Sequence, residues 1–444
     1  MIAGCPHETS VPISARAGGG APWRRILRGA LALGLAGPLA AAADTAPPSG
    51  GTFAIRASKA LLCELDGRQA IDGALVLIDE GRIAAVEAEH DLELPEGTPV
   101  LDAGASWVMP GMIDLHSHVG GPRGYNDAVF QVNSGLRVSS TAIAGNARLR
   151  RPLAAGITTI LYIPGSATNV GGQGVLLKTR PGSFEEILVR DPGSLKIAQG
   201  DNPKRWGYRM NRALMNHHIR TALRQGSAYA ERWEAYEQGE AERPERRLHL
   251  DVYRDLRSEE IAISTHTQYF QVVLATLRIL RMEFGFPTFI DHGSFDSWLL
   301  GGVAERIGVP AILGPREVMW PTNPGRFPVD GRAEGCAWGF QQQGVSLIGF
   351  NTDAPVLPQE ELPLQSAMGV RYGFDNSRMG AVRGLTIVPA TVCGVGDDLG
   401  SLEAGKVADL VVLTGDPSDP RTSVQWVWVE GELVYEQAAG ERPW

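Results

Sequence analysis

Val108-Met109-Pro110-Gly111-Met112-Ile113-Asp114-Leu115-His116-Ser117-His118 is the stretch from which the rest of the chain is read. A Pro-Gly turn delivers the backbone into an apolar run, Met112 to Leu115, that ends in two histidines one residue apart. Side chains alternate across a strand, so His116 and His118 point to one side and Ser117 to the other. Two imidazoles so placed reach one divalent ion without bending the backbone, and imidazole suits zinc, nickel, iron or copper. In a chain with nine histidines the pair alone is a weak signal, and its surroundings must carry the case.

On either side of this stretch the hydrophobic pattern changes. From Thr52 to Val108 short strands alternate with turns: Phe53 to Ile55, Ala74 to Ile78, and Ile83 to Val86 after Glu80-Gly81. The other end of the chain carries matching strands, Leu410 to Leu413, Val424 to Val429 and Leu433 to Tyr435. Strands this short cannot bury both faces alone, so the two ends are expected to pair into one small β-domain. Between them, apolar runs of strand length alternate with helical stretches, the pattern of parallel strands with crossover helices. The runs are Met112 to His118, Ile157 to Ile163, Val175 to Lys178, Ser194 to Ala198, Ile261 to His266, Pro287 to His292, Val309 to Leu313 and Val345 to Phe350. Eight is the count of a closed α/β barrel, whose chemistry collects at the carboxyl ends of its strands. His118, His266 and His292 stand at such ends, with Asp353 just beyond the last.

The long interval from Arg205 to Ser258 predicts two charged amphipathic helices, Trp206 to Gln225 and Ala228 to Glu240, as a flap or packing element. His217, His218 and His249 lie there and are read as surface or packing residues.

Composition narrows the function. The 444 residues are 43% hydrophobic and 20% charged, an ordinary globular balance. A net charge of -9 with no basic stripe argues against nucleic acid as a partner. Arg24, Arg25 and Arg28 precede an apolar run, Ala30 to Ala40, and then Ala41-Ala42-Ala43. That is the layout of a signal peptide, residues 1–43, cleaved near Ala43, so a periplasmic or secreted protein is expected. No segment of the mature chain is long enough to span a bilayer. Cys63, Cys336 and Cys393 would remain, an odd number expected to be buried thiols. Gly400 to Lys406 has the spacing of a phosphate loop, but Val407 replaces the required Ser or Thr, and the glycines around Gly396 miss dinucleotide spacing. No nucleotide cofactor is expected.

The Met-Pro-Gly-Met-Ile-Asp-Leu-His-Ser-His stretch resembles the first barrel strand of the amidohydrolase superfamily, the metal-dependent hydrolases. Gly400-Ser401-Leu402-Glu403-Ala404-Gly405-Lys406-Val407-Ala408-Asp409-Leu410-Val411-Val412-Leu413 is similar to that family's closing segment. Asp201-Asn202-Pro203-Lys204-Arg205 resembles a segment of its imidazolonepropionase-related branch. The resemblance implies a (β/α)8 TIM-like barrel with a small β-sandwich domain built from both chain ends. The expected layout is a linker at 44–51, a β-domain from 52–108 and 399–437, and a barrel at 109–398.

The resemblance also implies a site. His116 and His118 match the first-strand ligands, His266 and His292 the ligands of strands five and six, and Asp353 the aspartate of strand eight. Lys196, a lysine inside an apolar strand, is costly to bury charged. In many two-metal members such a lysine takes up carbon dioxide as its neutral amine and bridges the ions as a carbamate; Lys178 is the rival, and a single-metal site without a bridge is the third possibility. One or two divalent ions are implied, with zinc expected. Asp353 would accept the proton of the attacking water, and His292 would polarise the carbonyl if only one ion binds. Asp114 and Asp291 are expected to orient imidazoles, and Arg316 to meet a substrate carboxylate or a surface partner. The expected activity is hydrolysis of a C–N bond in a small molecule: a cyclic amide or imide, or a small peptide. The alternatives are a mononuclear deaminase and a catalytically silent barrel that binds a partner, and homo-oligomerisation is left open.

Overall fold

The structure, a computed structural model, describes residues 46–122, 125–205, 211–314, 318–319 and 334–439. Five strands come first: β1 (Phe53–Leu61), β2 (Ala70–Asp79), β3 (Arg82–Ala88), β4 (Val100–Asp102) and β5 (Trp107–Pro110). Gly111 turns the chain into β6 (Met112–Ser117), followed by β7 (Ile157–Tyr162), β8 (Val170–Lys178), β9 (Leu188–Ala198) and β10 (Ala262–His266). Next are β11 (Ile290–His292), β12 (Ala311–Leu313), the short pair β13 (Val318–Met319) and β14 (Glu334–Gly335), and β15 (Ile348–Phe350). β16 (Leu410–Leu413), β17 (Val424–Val429) and β18 (Glu432–Glu436) complete the set.

Strands from both chain ends hydrogen-bond into one sheet, in the order β18-β17-β16-β5-β1-β2-β3, with β4 also on β1. β5 is the joint. Its Val108 and Met109 pair with Val412 and Val411 of β16, while Lys59 and Ala60 of β1 run parallel beside Trp107 and Val108. β16 has no polar position because both its faces are covered. Leu410 and Val412 join Phe53, Ile55, Val76, Val108 and Trp428 in one cluster. Val411 and Leu413 point the other way, into a cluster with Met109, Ile157, Leu153 and Val427. Period two thus ties the chain-end sheet to the body that holds the site.

All eight strand candidates appear, as β6 to β12 and β15. β6 to β10 form one sheet, and β11, β12 and β15 form another. Bridges from Ile263 to Thr288 and from Thr267 to His292 connect β10 with the β11 segment, and Ser117 to Ala354 connects β6 with the residues after β15. One strand departs from expectation: β8 runs antiparallel to both β7 and β9. The physical reason is the connection, since Ile163 to Asn169 is too short for the dozen or more residues that a parallel crossover needs.

The long interval also differs. One helix, Arg212–Glu237, replaces the two expected, and Trp206 lies outside the described residues. Asn211 caps it through a bond from the Leu214 amide. The helix runs through Gly226, which sits against the Tyr253 ring; a Cβ there would lie 2.2 Å from Tyr253 Cγ. Gly226 is therefore a close-packing residue and not a break. Ile219, Leu223, Tyr229 and Trp233 pack with Leu195 and Ile197 of β9 and Ile263 of β10. This is a packing element. Cys63, Cys336 and Cys393 are buried.

Candidate metal centre

β6 brings in the two founding histidines. His116 is fully buried, and its Nδ1 lies 2.6 Å from Asp291 Oδ2 on β11. His118 Nδ1 donates to the Ile163 carbonyl at 2.8 Å, just past β7. His292 Nδ1, at the end of β11, donates to the Gly314 carbonyl at 2.7 Å. A carbonyl oxygen only accepts, so His118 and His292 carry protons on Nδ1 and turn their Nε2 atoms inward. Gly314 has room for no side chain, because a Cβ would sit 2.2 Å from the Asn351 carbonyl oxygen.

The inward atoms converge. Asp353 Oδ1 is 3.3 Å from His116 Nε2 and 3.2 Å from His118 Nε2. Lys196 Nζ is 3.2 Å from His116 Nε2, and His266 Nδ1 is 2.7 Å from His292 Nε2. His266 Nε2 is buried with no hydrogen-bond partner. Asp291 takes up His116 Nδ1, so the His116 Nε2 lone pair faces the Asp353 carboxylate, a repulsion that a cation between them relieves. Ligands bound about 2.0–2.1 Å from a tetrahedral centre are themselves about 3.3 Å apart. The donor set therefore fits a divalent ion, with His116, His118 and Asp353 around one position; His116, Asp291 and His292 form a second group, with His266 against His292.

The electrostatics agree with that use. Burial pushes His292 down to about 4 and holds His116 and His266 well below the ordinary imidazole range, so all three stay neutral. Neutral imidazole is the form that ligates. Burial raises the Asp353 carboxyl, but the rings of His116, His118 and His292 outweigh it and hold the group well below the usual carboxylate range. Burial also pushes the fully buried Lys196 ammonium down to about 8, against the pull of Asp291 and Asp353. His292 and Asp353 both adopt left-handed backbone, φ 73° and 51°. Such conformations cost about 1–3 kcal/mol each and collect at functional sites.

The two lysines are separated clearly. Lys178 is ion-paired with Asp409 at 2.7 Å, both buried, and takes no part in the cluster. Lys196 is in it. The two aspartates also differ. Asp291 touches an imidazole, whereas the Asp114 carboxylate accepts from the His116 amide, the Thr352 hydroxyl and the Gln359 amide. Asp114 therefore fixes the backbone of His116 and the approach to Asp353, not an imidazole ring. Arg316 lies outside the described residues. His217, His218 and His249 are on or beside the Arg212–Glu237 helix and the Leu248–Leu250 turn, apart from this cluster.

Two contributors were not read from sequence. Asn351 donates to Asp291 Oδ1 at 3.0 Å and to the Ile312 carbonyl at 2.9 Å, completing the support of His116. Its place two residues before Asp353 was the available signal. Tyr125 stacks on His118, ring centroids 5.2 Å apart and planes 4° from parallel. A cavity of about 390 Å³ opens over the site, bounded by His118, Tyr125, Asn202, His266, Asp353 and Val356.

Residues 338–437 match the family model of the amidohydrolase family. The crystal structure of an amidohydrolase from Thermotoga maritima MSB8 is 27% identical and superposes with a TM-score of 0.74, over 86% of this chain and 100% of that one. The chain belongs to the amidohydrolase superfamily. Members of this superfamily are hydrolases acting on carbon–nitrogen bonds and use divalent metals. Imidazolonepropionase from Pseudomonas putida GB-1 is 23% identical over 381 residues, 78% of this chain and 89% of that protein. The amidohydrolase tasK of Hapsidospora irregularis is 25% identical over 399 residues; the match takes in 81% of this chain but only 40% of tasK. The signature at Gly400 to Lys406 has a structural task here. Lys406 Nζ donates to the Gly396 carbonyl and to Ser401 Oγ, both at 2.6 Å, and is fully engaged.

Proposed function

We propose that this chain is a metal-dependent hydrolase that cleaves an amide-type C–N bond in a small molecule, with cyclic amides or imides and small peptides as the substrate classes. The observation that carries the proposal is the convergence of His116 Nε2, His118 Nε2 and Asp353 Oδ1 within 4.8 Å of one another, with His118 and Asp353 on the cavity wall. A divalent ion, zinc in this proposal, supplies an acidified water and polarises the carbonyl under attack.

The chain's own residues do the rest. Asp291, held by Asn351, keeps His116 in position, and the Gly314 carbonyl does the same for His292. Asp353 lines the cavity, takes the proton of the attacking water and passes it to the leaving nitrogen. Burial brings Lys196 down to about 8, so a share of it is the neutral amine that carbon dioxide uptake requires, and from its place beside His116 a carbamate would help to hold the metal.

The same proposal takes the two inner sheets and their connecting bridges as one closed eight-stranded barrel, and the chain-end sheet as a β-sandwich packed on it. It includes export, through a signal peptide removed near Ala43. Elemental analysis of purified protein, with a screen of N-acyl amino acids, dipeptides and cyclic ureides, tests it. Two metal equivalents and hydrolysis are expected. One equivalent with ammonia release points to the deaminase alternative, and neither metal nor turnover points to a binding protein.

A further inference from the structure

Two cavities meet at His118. The smaller holds Asp353 and His266; the larger, about 600 Å³, extends from His118 past Gln359 to Arg148, Arg151 and Glu360. Tyr125, stacked on the His118 ring, is a wall of both. A molecule whose reacting bond lies beside His118 can extend into either.

The two are charged differently. In the smaller cavity Asp353 is the ionised side chain, and no lysine or arginine lines it among the described residues. In the larger, Arg151 is paired with Glu360 at 2.7 Å. Arg148 has no carboxylate partner among the described residues. Among the described lining residues, Arg148 thus stands without a compensating carboxylate. The Arg148 backbone is fixed, since its amide donates to Asn146 Oδ1 at 3.0 Å and the adjacent Leu149 is buried in the core. A carboxylate entering the larger cavity therefore meets Arg148 as a counter-ion. The net charge of -9 makes this local reversal of sign more selective.

We infer that the larger cavity is the subsite for an anionic end of the substrate, with Arg148 as its counter-ion. The substrate class is an amide bearing a carboxylate on the side of the scissile bond away from Asp353. This rests on the hydrolase proposal above. A guanidinium meets a carboxylate through two parallel N–H bonds, which fixes orientation as well as charge.

The test uses a matched pair of probes, N-acetyl-alanine and N-acetyl-alaninamide, which differ by one charge. Their binding to zinc-loaded protein is measured by calorimetry, and their cleavage is followed in parallel. Wild type should prefer the carboxylate probe, Arg148→Gln should reduce that preference up to about fivefold, and Arg148→Glu should invert it. Arg148 is exposed, so circular dichroism should show both variants folded. No preference in wild type, or a preference that survives Arg148→Gln, would overturn the inference. Because binding is read whether or not the probes are cleaved, a charge-selective protein without turnover counts against the hydrolase proposal and not against the subsite.

Discussion

Asp291 Oδ2 stands 2.6 Å from His116 Nδ1, and both side chains are completely buried. A carboxylate and an imidazole at that distance, out of water, set the ring's orientation and make its other nitrogen a better donor. The pair links β11 to β6 across 175 residues of sequence, and Asn351 holds the free Asp291 oxygen from the end of β15. The site is thus braced from three strands.

Asp291→Ala should therefore weaken metal binding about 10–100-fold while leaving all the inward-facing donors present. Competition titration with a chelating dye measures this directly. Unchanged metal affinity would mean that the His116 ring is held by packing alone.

Lys196 and Lys178 separate metal binding from stability. Lys196→Ala should reduce the metal-to-protein ratio and turnover, with partial recovery in bicarbonate or small carboxylates. Lys196→Arg should fail too, because guanidinium stays protonated and cannot take up carbon dioxide. Lys178→Ala should keep the metal but strand Asp409 in the interior, a loss of about 3–5 kcal/mol in unfolding free energy. Metal analysis and denaturant melts on all three variants give the answer, and a metal loss confined to Lys178→Ala would reverse the assignment.

Gly226→Ala sets two opposing effects against each other. Alanine favours a helix by about 1 kcal/mol over glycine, whereas overpacking costs about 1–3 kcal/mol. The new methyl group would lie 2.2 Å from the Tyr253 ring, which cannot swing aside freely because its hydroxyl is bonded to Ser134 at 2.8 Å. The clash should win, and thermal unfolding should show a lower midpoint. A stabilised variant would show that the helix tolerates displacement from Tyr253.

Deleting everything after Gly400 removes β16, β17 and β18 together. β5 would lose its partner, and Val411, Leu413 and Val427 would leave the cluster they share with Met109 and Ile157. Loss of cooperative unfolding is expected by calorimetry. An unchanged melting temperature would mean that the chain-end sheet does not support the body.

Local chemistry was legible in the sequence because it depends on neighbours a few residues apart. The apolar runs marked all eight inner strands, and histidines at their ends marked the site, since two-residue alternation and strand-end position are written along the chain. The pairing of the two chain ends was legible for a related reason: strands too short to bury themselves need partners. Direction was not legible. Apolar alternation reads the same for β8 in either sense, and the short connection, not the strand, turned it antiparallel. The single helix over Arg212–Glu237 was not legible either, because the Tyr253 ring that packs against Gly226 is invisible to helix propensity. The choice between Lys196 and Lys178 fell to Asp409, a partner 231 residues away from Lys178. The stacking of Tyr125 on His118 and the charge of Arg148 belong to loops and short turns whose residues carry no periodic signal. Their neighbours were decided only when the chain closed around them, because burial and pairing are properties of the folded space and not of adjacency along the backbone.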